Sequence, residues 1–180
     1  MQLGIGFLPF LPLLPMQILL TNFLTDFHAI TIASDLVDEE MVNKPRRWDI
    51  RHIRNFMLTF GTVSSLFDYL TFGLLLLVLH ATMEEFRSGW FIESVMTELL
   101  VMLVIRTQRP FFRSRIGTML LVSTAMIAAI TILLPYLPFS SILGLTPLSI
   151  DLVLGLIGIT LLYLVATEVT KRVFFRTVVL

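Results

Sequence analysis

Long runs without charge constrain this chain more than any other feature. No charged residue precedes Asp26, Asp68 alone interrupts the run between Arg54 and Glu84, and none lies between Arg115 and Asp151. A helix needs about 20 mostly apolar residues to cross the hydrocarbon of a bilayer, and each run reaches that length. With 56% of its 180 residues hydrophobic and 14% charged, the chain carries more apolar surface than a soluble domain can enclose. The predicted fold class is all-α, a polytopic membrane helix bundle whose first partner is the lipid bilayer.

Five full spans are expected, over Pro15–Ser34, Phe56–Ala81, Gly89–Ile105, Gly117–Leu134 and Leu148–Thr167. Between the last two, PYLPFSSILGLTP holds three prolines, which cannot continue a helix interior and predict a surface turn. Before Pro15 the sequence is apolar but too short to span. Pro9, Pro12 and Pro15 therefore predict a hairpin that joins an N-terminal half helix to the first span. The chain reads as truncated at its front, although Met1 as a genuine start is the alternative. A cleaved signal peptide is not expected, because a basic leading segment is missing and the apolar run continues too far.

Orientation follows from the basic residues. Lys44, Arg46, Arg47, Arg51 and Arg54 fall between spans one and two, Arg106, Arg109, Arg113 and Arg115 between three and four, and Lys171, Arg172 and Arg176 after span five. With alternating spans all these places share one side, and of the 13 basic residues only Arg87 is opposite. The positive-inside rule then makes these loops and the C-terminus cytoplasmic, in a multi-pass protein of the cell membrane. Trp48 and Trp90 are expected as interfacial anchors, and Lys171 and Arg172 as snorkelling ends of the last span. The basic loop from Ser34 to Asn55 suits anionic lipid or a cytoplasmic partner, with a topology signal as the alternative. No repeat or linker divides residues 1–180, which read as one membrane domain. Without cysteine there is neither a disulfide framework nor a thiolate metal site.

A charge at the centre of a spanning helix costs roughly 2.5 to 3.5 kcal/mol on insertion scales, so such residues often mark ion paths. In LLTNFLTDFHAITIA, Asn22 lies one helical turn before Asp26, with Thr25 adjoining. Their oxygens suit a hard cation such as magnesium or calcium; interhelical hydrogen bonds are the alternative. Glu98, beside Thr97, is placed to complete that site or to hydrogen-bond a neighbour as the protonated acid. Glu93 is expected within reach of water near the outer face, with Glu84 and Glu85 as a solvated loop. Asp68, after Ser64 and Ser65 and before Thr71, is expected as a structural intramembrane polar residue. His28 and His80 lack a second ligand at metal spacing and read as packing residues. GxxxxGK[ST], HExxH and GxSxG are missing, so no catalytic residue is expected here.

LPLLPMQILLTNFLTDFHAITIASDLVDEEMVNKPRRWD resembles the sixth transmembrane helix and following loop of P-type cation ATPases. FMLTFGTVSSLFDYLTF and SGWFIESVMTELLVMLVIRTQRPFFRSR narrow the resemblance to the bacterial and archaeal magnesium-translocating branch, and it continues to the terminal EVTKR. The resemblance implies that Met1 falls within the family's fifth helix and that the full spans are its sixth to tenth. It implies an unwound sixth helix in which Asn22 and Asp26 coordinate the transported ion, with Thr25 matching a threonine of calcium pumps. Glu98 stands where calcium pumps have glutamate and magnesium-branch relatives glutamine. Calcium pumps place Gly and Pro after the aspartate, whereas this chain has FHAI, which argues against calcium.

The family's DKTGT phosphorylation motif does not occur in these 180 residues. ATP chemistry is expected in domains outside them, with magnesium as the transported substrate and no cofactor held by this chain. The expected partners are the remaining ATPase domains or a companion subunit, and no nucleic acid. A free-standing, non-enzymatic membrane protein and a piece of a proton pump are the competing expectations.

Overall fold

The computed structural model describes residues 10–33, 35 and 50–178. Every regular element among the described residues is helical: α1 (Pro15–Ile32), α2 (Ile50–Gly73), α3 (Met83–Ile105), α4 (Thr118–Leu133) and α5 (Ile150–Val178). α2 runs on into a wide π-turn at Leu74–Val78, and 3-10 turns occupy Phe111–Arg113, Leu134–Tyr136 and Ser140–Leu143.

Among the described residues, four stretches are long and apolar enough to cross a membrane: Ile53–Val78, Met83–Ile105, Thr118–Tyr136 and Ile150–Arg176. α1, expected as another span, is an 18-residue helix, about 27 Å long at 1.5 Å per residue. Gln17, Asn22, Asp26 and His28 lower its hydropathy, so composition alone does not place it with the other four. The half helix expected before Pro15 falls chiefly on residues 1–9, outside the described residues, while residues 10–14 form bends. Lys44, Arg46, Arg47 and Trp48 also lie outside the described residues.

The element ends differ from expectation for local reasons. α3 starts at Met83, ahead of the expected Gly89, because Thr82 and Glu85 form a capping box. The Thr82 hydroxyl accepts from the Glu85 N–H at 3.3 Å, and the Thr82 N–H donates to Glu85 Oε2 at 2.9 Å. Glu85 is thus a cap as well as part of the solvated loop. α5 continues past Thr167 to Val178, since no breaker follows and its charges find partners.

α3 is the central helix. It packs against α1, α2, α4 and α5, and half of its spanning window is buried, against a third or less in the other three. A helix that is apolar on most sides belongs in a core. Phe86, Trp90, Phe91, Val95 and Leu99 supply that core, with Leu75 of the π-turn, Ile127 of α4 and Leu156 of α5. Trp90 therefore is not the interfacial anchor expected of it: its ring meets Phe72 edge-on at 4.7 Å between centroids, inside the bundle. Large apolar side chains such as Phe23, Leu58, Leu121 and Leu161 point outward, as a lipid-facing surface requires.

Two sets of contacts define the ends of the bundle. At one end, buried Gln17 accepts from the Leu14 N–H at 2.9 Å and donates to the Leu143 and Gly144 carbonyls at 3.1 and 2.9 Å. Arg87 donates to the Leu11 carbonyl at 3.1 Å, so α1 and α3 begin together. At the other end Arg106 pairs with Asp35 at 2.6 Å, and Asp35 also accepts from the Gly117 N–H at 2.8 Å. Lys171 joins this end through the Val104 and Arg109 carbonyls. It is fully buried rather than snorkelling, because the last carbonyls of α3 need a donor.

Candidate cation site

Pro15 opens α1 at a position where a missing N–H is harmless. From there the helix is continuous through Asn22 and Asp26 to Ile32, so the unwinding implied by resemblance is not found. The physical reason is local. No Gly or Pro occurs between Met16 and Ile32, and the Thr21 and Thr25 hydroxyls each donate back to a carbonyl four residues earlier at 3.0 Å.

α1 turns two faces to its surroundings. Thr21, Thr25, His28 and Thr31 are buried towards the bundle. His28 Nε2 lies 2.9 Å from Thr124 Oγ1, and Thr31 Oγ1 lies 2.9 Å from Ser123 Oγ, which ties α1 to α4. Asn22 and Asp26 lie on the other face, exposed among the described residues. The packing expected of His28 is what the structure has, whereas His80 sits exposed in the α2–α3 connection with a positive φ of 49°.

Across the α1–α3 contact, half-buried Glu98 hydrogen-bonds with the Thr25 side chain and lies close enough to Asp26 for their charges to interact. Thr25, Asp26 and Glu98 therefore meet, with Asn22 one turn before Asp26. The Thr25 hydroxyl lies 3.0 Å from the Thr21 carbonyl and also interacts with the Glu98 carboxyl, so the acceptor oxygens of Asp26 and Glu98 come together beside it. A positive species between those oxygens, whether a metal cation or a proton, satisfies both. The set is oxygen-only, as hard cations prefer. It holds two carboxylates, and among the described residues no three His, Cys, Asp or Glu side chains gather into a metal site.

Asp68 lies elsewhere, on α2, facing Trp90 and interacting with Glu93. Glu93 does not reach water as expected: with α3 starting at Met83, it is 1% exposed. Sequence reasoning also missed Gln17 and the Asp35–Arg106 pair. Both join residues far apart in the chain, and no local spacing announces them.

Helices long and apolar enough to cross a membrane, packed around a central one of their number, define a multi-pass membrane helix bundle. Residues 10–173 match the family model for the C-terminus of cation transporting ATPases. The chain belongs to that family. It is 39% identical over 176 residues to the "Magnesium-transporting ATPase, P-type 1" of Salmonella typhimurium strain 14028s, covering 95% of this chain and 20% of that protein. The protein of the same name from Escherichia coli K12 is 38% identical, with the same coverage. The chain thus spans about a fifth of the length of the curated relatives it matches.

Proposed function

We propose that this chain is the C-terminal membrane portion of a magnesium-translocating P-type ATPase, in which Asn22, Thr25, Asp26 and Glu98 supply oxygens to the transported ion. The observation that carries the reading is the meeting of Thr25, Asp26 and Glu98 between α1 and α3. The similarity to magnesium-transporting relatives supports the choice of ion. One or two carboxylates with retained water suit magnesium, which gives up its hydration reluctantly. Residues 1–180 act as a single membrane domain, embedded in lipid and coupled to the remaining ATPase domains. Those domains would bind and hydrolyse ATP, and their phosphorylation would alter the α1–α3 contact and so the exposure of the ion. On this reading the end that carries Arg106, Arg109, Lys171 and Arg172 is cytoplasmic, in keeping with the positive-inside rule.

The test is Asp26→Asn in the full-length product, reconstituted in lipid vesicles. Magnesium-stimulated ATP hydrolysis is expected to fall to background while the protein remains folded by circular dichroism. An unchanged rate would remove Asp26 from the site. A rate that follows pH and ignores magnesium would assign proton transport instead.

A further inference from the structure

Side chains on the face of α1 opposite Asp26 attach it to α4. His28 follows Asp26 by two residues and Thr25 by three, which at about 100° per residue sets it about 200° from Asp26 and about 60° from Thr25 around the helix. It is fully buried, and its Nε2 lies 2.9 Å from Thr124 Oγ1, which in turn lies 2.7 Å from the Leu120 carbonyl. Two hydrogens, one from the imidazole and one from the hydroxyl, serve these two contacts. Nδ1 is enclosed with no hydrogen-bond partner among the described residues, so Nε2 alone orients the ring. Nearly one turn on, Thr31 Oγ1 lies 2.9 Å from Ser123 Oγ, and the two hydroxyls also lie 2.7 and 2.9 Å from the His28 and Leu120 carbonyls. There two hydrogens serve three contacts, so the His28 attachment is the better satisfied of the two.

The start of α1 is held as well, where Gln17 donates to the Leu143 and Gly144 carbonyls. Asn22, Thr25 and Asp26 are thus bracketed by two attachments, and that of His28 is the nearer to Asp26. Apolar packing has no preferred direction, whereas a hydrogen bond weakens steeply when bent, so the His28–Thr124 bond fixes the angle of α1 about its own axis. Side-chain oxygens lie about 5–6 Å from a helix axis, and turning α1 by about 20° would move the Asp26 carboxylate by about 2 Å. That equals a whole magnesium–oxygen bond of about 2.0–2.1 Å, and magnesium demands near-ideal ligand geometry.

We propose that His28 is a positioning residue of the cation site, its Nε2 bond to Thr124 holding α1 at the angle that keeps Thr25 and Asp26 against Glu98. The inference deepens the cation-site reading and rests on it. His28 touches no ion; it acts through the orientation of α1. Removing a group that orients metal ligands weakens metal binding by about 10–100-fold. The lower end of that range is expected here, because the Gln17 and Thr31 attachments remain.

The test is calorimetric titration of the full-length product in micelles with magnesium alone, without nucleotide, the binding lost in Asp26→Asn defining the site. His28→Leu keeps the bulk and removes the N–H; the dissociation constant is expected to rise about tenfold with the stoichiometry unchanged. His28→Gln, whose amide N–H stands near the place of Nε2–H, is expected to bind as the parent does. Thr124→Val is expected to match His28→Leu, and the double variant to be no weaker than either, since both remove one bond. Parent-like binding by His28→Leu, or equal weakness of the Leu and Gln variants, would overturn the proposal, because His28 would then act by packing alone. Should His28→Leu fail to fold, Thr124→Val reads the same bond from α4, and unchanged binding there would likewise refute it. Binding lost in Asp26→Asn but not in His28→Leu would overturn the positioning role and leave the site standing; binding unchanged in Asp26→Asn would overturn both.

Discussion

Lys171→Met separates a buried cation from a snorkelling one. Lys171 is 0% exposed. Its Nζ donates to the Val104 carbonyl at 3.0 Å and the Arg109 carbonyl at 2.7 Å. Val104 is in the last turn of α3, whose carbonyls have no intrahelical partner, so the ammonium serves as a cap supplied by α5. It also lies 2.8 Å from Glu168 Oε2 as an ion pair. Methionine keeps the apolar stem and deletes the charge, leaving Glu168 and both carbonyls short of a donor. Breaking a buried pair from one side costs about 3–5 kcal/mol. Arg172, 3.4 Å from Glu168 Oε1 but 53% exposed, retains part of the compensation, so a loss of about 3 kcal/mol is expected. Denaturant unfolding of the full-length product in micelles, followed by tryptophan fluorescence, measures it. The double variant Lys171→Met, Glu168→Gln should recover part of the loss, with a coupling of about 1 kcal/mol or more. A single-variant loss below about 1 kcal/mol, the scale of an exposed ion pair, would mean that the ammonium is solvated and the burial argument is wrong.

Two further changes probe the ends of the bundle. Gly144 has φ 65°, and a Cβ there would collide with Leu14 Cδ1; Gly144→Ala should lower stability by about 1–3 kcal/mol. Gly158→Ala, with nothing within 4 Å of its Cβ, is the thermal-melting control and should be neutral or slightly stabilising. Asp35→Ala leaves the Arg106 guanidinium, 4% exposed, without its carboxylate. It should cost about 3 kcal/mol and speed hydrogen exchange at the Gly117 amide, which loses its acceptor.

The spans were legible because hydrocarbon length and freedom from charge are properties of contiguous sequence. The apolar pattern behind α2, α4 and α5 needed no knowledge of neighbours. Misplacing the start of α3 had a chemical consequence: with the helix begun at Gly89, Glu93 falls near water, and with it begun at Met83, Glu93 falls inside. The Thr82–Glu85 capping box was the available signal, hidden because Glu84 and Glu85 look like a solvated loop. Lys171 was misread for a different reason. A lysine near the end of an apolar helix usually reaches water, and only the position of α3 shows that two carbonyls lie closer. At the candidate site, Thr25, Asp26 and Glu98 could each be selected as polar residues in apolar runs, but their meeting depends on how α1 packs on α3. Asn22 and Asp26 remain on an exposed face among the described residues, which no helical spacing could reveal.

The position of α3 also connects its two acidic sites. Glu93 and Glu98 are five residues apart, which at 3.6 residues per turn places them about 140° apart around the helix and about 7.5 Å apart along it. One carboxyl therefore looks to α1, at Thr25, and the other to α2 and α5, at Asp68 and Tyr163. No side chain need carry a signal between them, because a helix moves as a body: a rotation of α3 that opens one contact alters the other. Lys171 holds the same helix to α5 at Val104, and Arg106, just beyond its last turn, holds it to Asp35. The other end of α3 is fastened as well: Arg87 donates to the Leu11 carbonyl at 3.1 Å, and buried Ser88 Oγ accepts from the Thr146 N–H at 2.8 Å. Held at both ends, α3 carries Glu93 and Glu98 on one rigid element, so a displacement that alters the contact at one carboxyl also alters the contact at the other.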